Sequence, residues 1–162
     1  MKWNHLPQFK QHPFKLLSAS VLGVGFLPAS GTWGSLVALL ILPLLMWCPF
    51  LTGIFVVLLF ALGVWSIPAL IKNQPNKDPS YVVIDELMGQ LAVFAFIPND
   101  FINPLTCILA FILFRLFDIL KPWPVSFYDQ KVHNAWGIML DDLVAGIYAL
   151  FTISIIYWLS LI

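Results

Sequence analysis

Residues 35–71 contain not one Asp, Glu, Lys, Arg or His. A helix needs only about 20 apolar residues to cross a bilayer, so a run of this length has to turn and cross again. Pro49, between Cys48 and Phe50, divides it, and the sequence predicts two spans, 33–48 and 52–71, the first carrying Pro43 and the second Pro68. The composition agrees: 60% of the residues are hydrophobic and 10% charged, with a mean hydropathy of +0.91, where an ordinary soluble domain is roughly 25% charged. This is the composition of an integral membrane protein. A net charge of zero leaves no basic footprint for nucleic acid, and nothing in the chain calls for an obligate protein partner.

Three further spans are expected. Residues 81–97 follow Ser80, an N-cap candidate placed after Asp78-Pro79; residues 105–120 are stopped by Lys121-Pro122; residues 141–162 close the chain. The expected fold is all-α, a small polytopic helical bundle of four to five spans in a single domain over residues 1–162. Four spans apply if Pro43 turns the first into a re-entrant hairpin. Gly53, Gly63, Gly89 and Gly146 suit close helix packing. Residues 1–31 imitate a secretory signal, but Ser18, Ser20, Gly23 and Gly25 dilute its apolar stretch. They read better as a basic arm followed by an interfacial or re-entrant segment. Cys48 and Cys107 have no metal-site spacing and are expected to be inert.

Orientation follows from the basic residues. Lys2, Lys10, Lys15, the loop with Lys72 and Lys77, and the loop with Lys121 and Lys131 fall on one side, with Arg115 close to it, while the loops around Pro49 and over 98–104 carry no basic residue. The first side is therefore expected to be cytoplasmic. The same topology brings the start of the first span, Asp85-Glu86, Arg115 to Lys121 and Asp141-Asp142 to that face. Ionised groups at the border of hydrocarbon are expensive, so acids gathered there mark a site for a cation or a proton.

Asp85 and Glu86 are consecutive and point about 100° apart on a helix, as do Asp141 and Asp142. The economical arrangement is one carboxylate of each pair facing a shared centre, its neighbour capping, pairing or reaching a second ion. Asp85, Glu86, Asp118, Asp141 and Asp142 are the candidate metal ligands, and oxygen donors without cysteine favour a hard cation, Mg²⁺ before Mn²⁺ or Ca²⁺. The competing structural role is compensation of the helix dipole at N-termini. It suits Asp141 and Asp142 but not Asp118, which lies near a helix C-terminus.

Arg115, Asp118 and Lys121 recur at i, i+3 and i+6, so each cation neighbours the one anion. The surplus positive charge suits a phosphate. Residues 31–35, Gly-Thr-Trp-Gly-Ser, are expected to open the first span, where free N–H groups with the hydroxyls of Thr32 and Ser35 can hold an anion. His133, in a polar loop with Asp129, Lys131 and Asn134, is a candidate acid or base.

The segments PASGTWGSLVAL (28–39), VIDELMGQ (83–90), FRLFDILKPWPVSFYDQKVH (114–133) and GIMLDDLVAGIYA (137–149) resemble the phosphatidylglycerophosphatase A family of bacterial membrane lipid phosphatases. The resemblance runs, in the family's order, from Phe14 to the last span. It implies Mg²⁺-dependent hydrolysis of phosphatidylglycerophosphate to phosphatidylglycerol and inorganic phosphate at the inner membrane. Other phosphatase chemistries do not fit. A cysteine phosphatase needs Arg six residues after Cys, whereas Arg115 stands eight after Cys107, and neither two aspartates separated by one residue nor a Ser-Gly-His element occurs.

The expected chemistry is metal-assisted, with Asp85, Asp118 and Asp142 as the catalytic carboxylates and Arg115, Lys121, Thr32 and Ser35 around the phosphate. Attack by water and attack by an aspartate remain open. The rival function is a non-catalytic ion or proton carrier with a paired-acid path. That predicts acids spread through membrane depth and an internal repeat. Here the acids keep to one face and no repeat is seen.

Overall fold

A computed structural model describes residues 10–48, 50–72 and 79–159. The break at Pro49, the basic residue Lys77, Asp78, the arm up to residue 9 and the last three residues lie outside it. The described residues form helices joined by turns, with no strand among them.

Helix α1, Pro13–Ala19, opens on a proline, which needs no N–H partner in a first turn. It ends at Val21, Leu22 and Gly23, with φ of 48°, 54° and 98°, and a short 3-10 turn, Val24–Phe26, follows. Left-handed backbone is costly for the branched Val21. The turn is held from outside by Val83 N, which donates to Ala19 O at 2.9 Å. Leu16 and Ala19 are buried, and Lys15 Nζ sits 4.8 Å above the Trp65 ring.

Helix α2, Ser30–Leu45, carries Pro43 without breaking, and α3, Leu51–Ile71, carries Pro68. The turn into α2 is made by Ala29, at φ 54°. Residues 31–35 thus lie in the first turns of α2. α3 and the final helix α7, Ala135–Trp158, are long and apolar enough to cross a membrane, while α2 is a shorter apolar helix.

The expected span over 81–97 is helical only as α4, Ile84–Ala92. That is about 14 Å of helix, well short of a hydrocarbon core of about 30 Å; turns continue it to residue 96. Residues 82–94 are buried apart from Glu86, which is partly exposed. Irregular backbone is tolerated in a membrane protein when protein, not lipid, surrounds it. Ser80 does not cap this helix. Val83 occupies the N-cap, and Ser80 O accepts from Ser30 Oγ at 2.6 Å, joining the approaches to α2 and α4.

Helix α5, Pro104–Leu120, is capped by Asn103, which accepts from Thr106 N, and ends at Lys121 in the left-handed region before Pro122. After α6, Val125–Lys131, α7 begins at Ala135, because Asn134 Oδ1 accepts from Trp136 N and Gly137 N. Asp141 and Asp142 therefore lie roughly two turns inside α7, not at its start. The helix-dipole explanation for these two acids is thereby removed, since a terminal charge acts only within the first turn.

Candidate active site

Two glycines set the geometry. A Cβ on Gly146 of α7 would stand 2.3 Å from Gly89 O of α4, and one on Gly89 would stand 2.7 Å from both Asp142 O and a Phe114 ring carbon. The backbones of α4 and α7 cross in contact, as small residues permit. Gly63 is similarly pressed by Met139, whereas Gly53 meets nothing within 4 Å and lines an open apolar groove with Phe50, Ile54 and Phe96, so its expected packing role is not seen.

Asp85 precedes Gly89 by four residues and Asp142 precedes Gly146 by four, each pair sharing a helix stripe. Crossing at the glycines therefore brings the acids together one turn away. One oxygen from each of Asp85, Glu86 and Asp142 lies within 4.8 Å of the others. Both members of the first acidic pair join the group, together with one of the second. Asp85 and Asp142 are buried, and neither Glu86 Oε2 nor Asp142 Oδ2 has a hydrogen-bond partner.

Arg115 and Asp118 flank this group from α5. Arg115 Nη1 meets Asp118 Oδ2 at 2.7 Å. Gly31 makes room for the approach. A Cβ there would stand 2.3 Å from Glu86 Oε1 and 3.0 Å from Arg115 Nη1, so the first turn of α2 touches the carboxylate and the guanidinium at once.

Asp141 forms an ion pair, one of the roles open to the second member of its pair. Its Oδ2 meets Lys121 Nζ at 2.9 Å, and Lys121 also meets Asp129 Oδ1 at 2.5 Å; Asp141 Oδ1 accepts from Asp142 N at 3.0 Å. Burial works against the charge on Lys121, but the hydrogen bonds and charges of Asp129 and Asp141 outweigh it and hold the ammonium above the usual lysine range. Lys121 ties α5, α6 and α7 together beside the carboxylate group.

The remaining candidates are arranged around these. Ser35 is buried and donates to Gly31 O at 3.0 Å; Thr32 is half-buried in the first turn of α2. His133 is exposed and lines a small pocket of about 40 Å³ with Asp129, Asn134 and Asp141, on the Lys121 side and outside the three-carboxylate group. One residue had not been singled out from the sequence. Gln90 is fully buried with both amide atoms unpartnered, and its spacing of four from Glu86 was the signal available.

Three carboxylates from two helices can coordinate a divalent cation, and a guanidinium and the first turn of α2 lie beside them. Comparison with known proteins identifies the family. The profile of the family described as Phosphatidylglycerophosphatase A matches residues 17–157. The chain belongs to the phosphatidylglycerophosphatase A family. It is 39% identical over 154 residues to phosphatidylglycerophosphatase A of Haemophilus influenzae, covering 91% of each chain. It is 34% identical over 139 residues to phosphatidylglycerophosphatase A of Escherichia coli, covering 84% of this chain and 78% of that one. A Bacteroides thetaiotaomicron protein with the provisional name phosphatidylinositol-3-phosphatase is 35% identical over 153 residues, covering 88% and 93%. No solved structure matches. As a member of this family the protein is a hydrolase, a lipid phosphatase of the phosphatidylglycerophosphatase type. With α3 and α7 of membrane length, it is a multi-pass inner-membrane protein.

Proposed function

We propose that this protein removes the terminal phosphate monoester of phosphatidylglycerophosphate, giving phosphatidylglycerol and inorganic phosphate, with Mg²⁺ held by Asp85, Glu86 and Asp142. The observation that carries the reading is the meeting of three carboxylate oxygens within 4.8 Å. Two of these side chains keep an oxygen without a hydrogen-bond partner. Carboxylates packed this closely repel unless a cation or proton joins them, and an all-oxygen donor set suits Mg²⁺. When bound, Mg²⁺ supplies positive charge to phosphoryl oxygens and makes a water more acidic.

The other residues position and hold. Asp118 fixes Arg115 through their ion pair and stands as a fourth carboxylate of the site. Arg115 carries phosphate charge, and Lys121 adds to it by exchanging Asp129, on the exposed side of α6, for a phosphoryl oxygen. Thr32, Ser35 and the N-terminal field of α2 complete the anion's surroundings. Asp141 steadies the turn that carries Asp142, and His133 beside it gives a proton a route to water. Placing charge and reactants in this way is most of what phosphoryl transfer requires.

The whole chain is read as one domain of four to five spans with this site at the cytoplasmic face. Exposed tryptophans support an interfacial position: Trp33, Trp65, Trp123 and Trp136 lie at the site end of the helices, and Trp47 and Trp158 at the other, as in the aromatic belts of membrane proteins. Among the described residues only Asp100 is an acid away from the site end, which disfavours a carrier path. Reporter fusions should place Lys131 in the cytoplasm and Asp100 across the membrane; finding both in one compartment would refute the topology.

Phosphate release from phosphatidylglycerophosphate by the purified protein in detergent tests the reaction. Release should require Mg²⁺ and stop on chelation. Arg115→Met should raise KM about tenfold or more, the loss of one charge-assisted contact. Full activity after exhaustive chelation would refute the Mg²⁺ assignment.

A further inference from the structure

Gln90 is wholly buried on α4, and neither its Nε2 nor its Oε1 has a hydrogen-bond partner. An amide kept from water with donor and acceptor both idle is strongly unfavourable. Native interiors rarely keep such a group unless an ion, a water or a ligand completes it. Its surroundings point to the ligand. Glu86 and Gln90 share one stripe of α4 at i and i+4. Helical side chains lean toward the N-terminus and cover the preceding turn. A Gln90 side chain with that lean reaches back toward the turn that carries Asp85 and Glu86, and Glu86 Oε2 on that turn and Asp142 Oδ2 on α7 also lack partners.

We infer that Gln90 is a neutral oxygen donor of the cation site, its Oε1 joining the oxygen shell of the cation and its Nε2 holding an oxygen of the bound phosphate. The inference rests on reading the Asp85, Glu86 and Asp142 group as a cation site. A neutral donor is what such a site needs at this position. Asp85, Glu86 and Asp142, with Asp118 beside them, already exceed the charge of a divalent ion, and one more carboxylate would add coordination while further repelling the incoming phosphate. An amide adds an oxygen without charge and brings a donor for the anion.

The test uses the full-length protein in detergent. Mn²⁺ alone is titrated with bound ion counted by electron paramagnetic resonance, inorganic phosphate is then titrated onto the Mn²⁺-loaded protein, and melting is followed without cation. Gln90→Met keeps the length of the side chain and removes both polar atoms. It should weaken Mn²⁺ binding about 10–100-fold, the range seen when groups that support a metal's ligands are removed, while the cation-free protein melts no lower than wild type. Gln90→Glu should restore Mn²⁺ binding but weaken phosphate binding through like-charge repulsion. If Asp142→Asn loses Mn²⁺ and Gln90→Met does not, the inference about Gln90 is overturned and the site stands. Unchanged Mn²⁺ binding in both variants overturns the site itself. A Gln90→Met protein that melts lower without cation shows an amide already bonded within the protein, which also overturns the inference.

Discussion

Asp142→Asn should reduce turnover on the order of 10³-fold with the fold retained. Asn nearly matches Asp in volume, so the buried position on α7 stays filled. What disappears is one negative charge and one oxygen donor from a group whose oxygens lie within 4.8 Å. A cation that stabilises charge on a transferring phosphoryl group contributes several kcal/mol, and each 1.36 kcal/mol is about a factor of ten in rate. Stability should move the other way. Relieving the repulsion among Asp85, Glu86, Asp118 and Asp142 should leave the cation-free variant at least as stable as wild type, measurable by thermal unfolding in detergent with Mg²⁺ removed. A variant that is inactive because it has unfolded is thereby separated from one that has lost its cation.

Gly146→Val should lower stability strongly. The first added carbon already falls 2.3 Å from Gly89 O, with Ala92 Cβ at 3.2 Å, and the obstacle is backbone, which cannot rotate away. The helices must separate, at a cost of roughly 3 kcal/mol or more, the upper range for overpacking a closed interface. Activity should fall with stability, because the same crossing carries Asp142 toward Asp85 and Glu86. Gly53→Val is the matched control, since nothing lies within 4 Å of a Cβ there, and it should melt within a degree or two of wild type. Equal melting of the two variants would show that the α4–α7 crossing is looser than described.

These two predictions also show which parts of the molecule were legible in the sequence. Helix α3 was, because lipid-facing and protein-facing sides alike are apolar and only length matters. That Asp85, Glu86 and Asp142 meet was legible in part, from the expectation that alternating crossings return every second helix end to one face. The limits of α4 were not: the segment 81–97 is enclosed by protein, and its hydropathy does not distinguish an enclosed short helix from a span. The start of α7 was misplaced for a local reason. The apolar run begins after Asp142, but Asn134 caps the helix two turns earlier, which moves Asp141 and Asp142 from a helix end into its body. Lys121 was expected beside Asp118 on one helical stripe, but it is the left-handed C-cap of α5 and its partners in the fold are Asp129 and Asp141. That choice depends on α6 folding back against α7, and no helical periodicity encodes it.

Counting Mn²⁺ bound to the purified protein by electron paramagnetic resonance decides whether Asp85, Glu86 and Asp142 together hold one divalent cation. The expected result is one tightly bound ion in wild type, displaced by excess Mg²⁺, with binding weakened at least tenfold in each of Asp85→Asn, Glu86→Gln and Asp142→Asn and unchanged in Asp100→Asn. Wild-type Mn²⁺ affinity in all three site variants, or equal loss in Asp100→Asn, would contradict it.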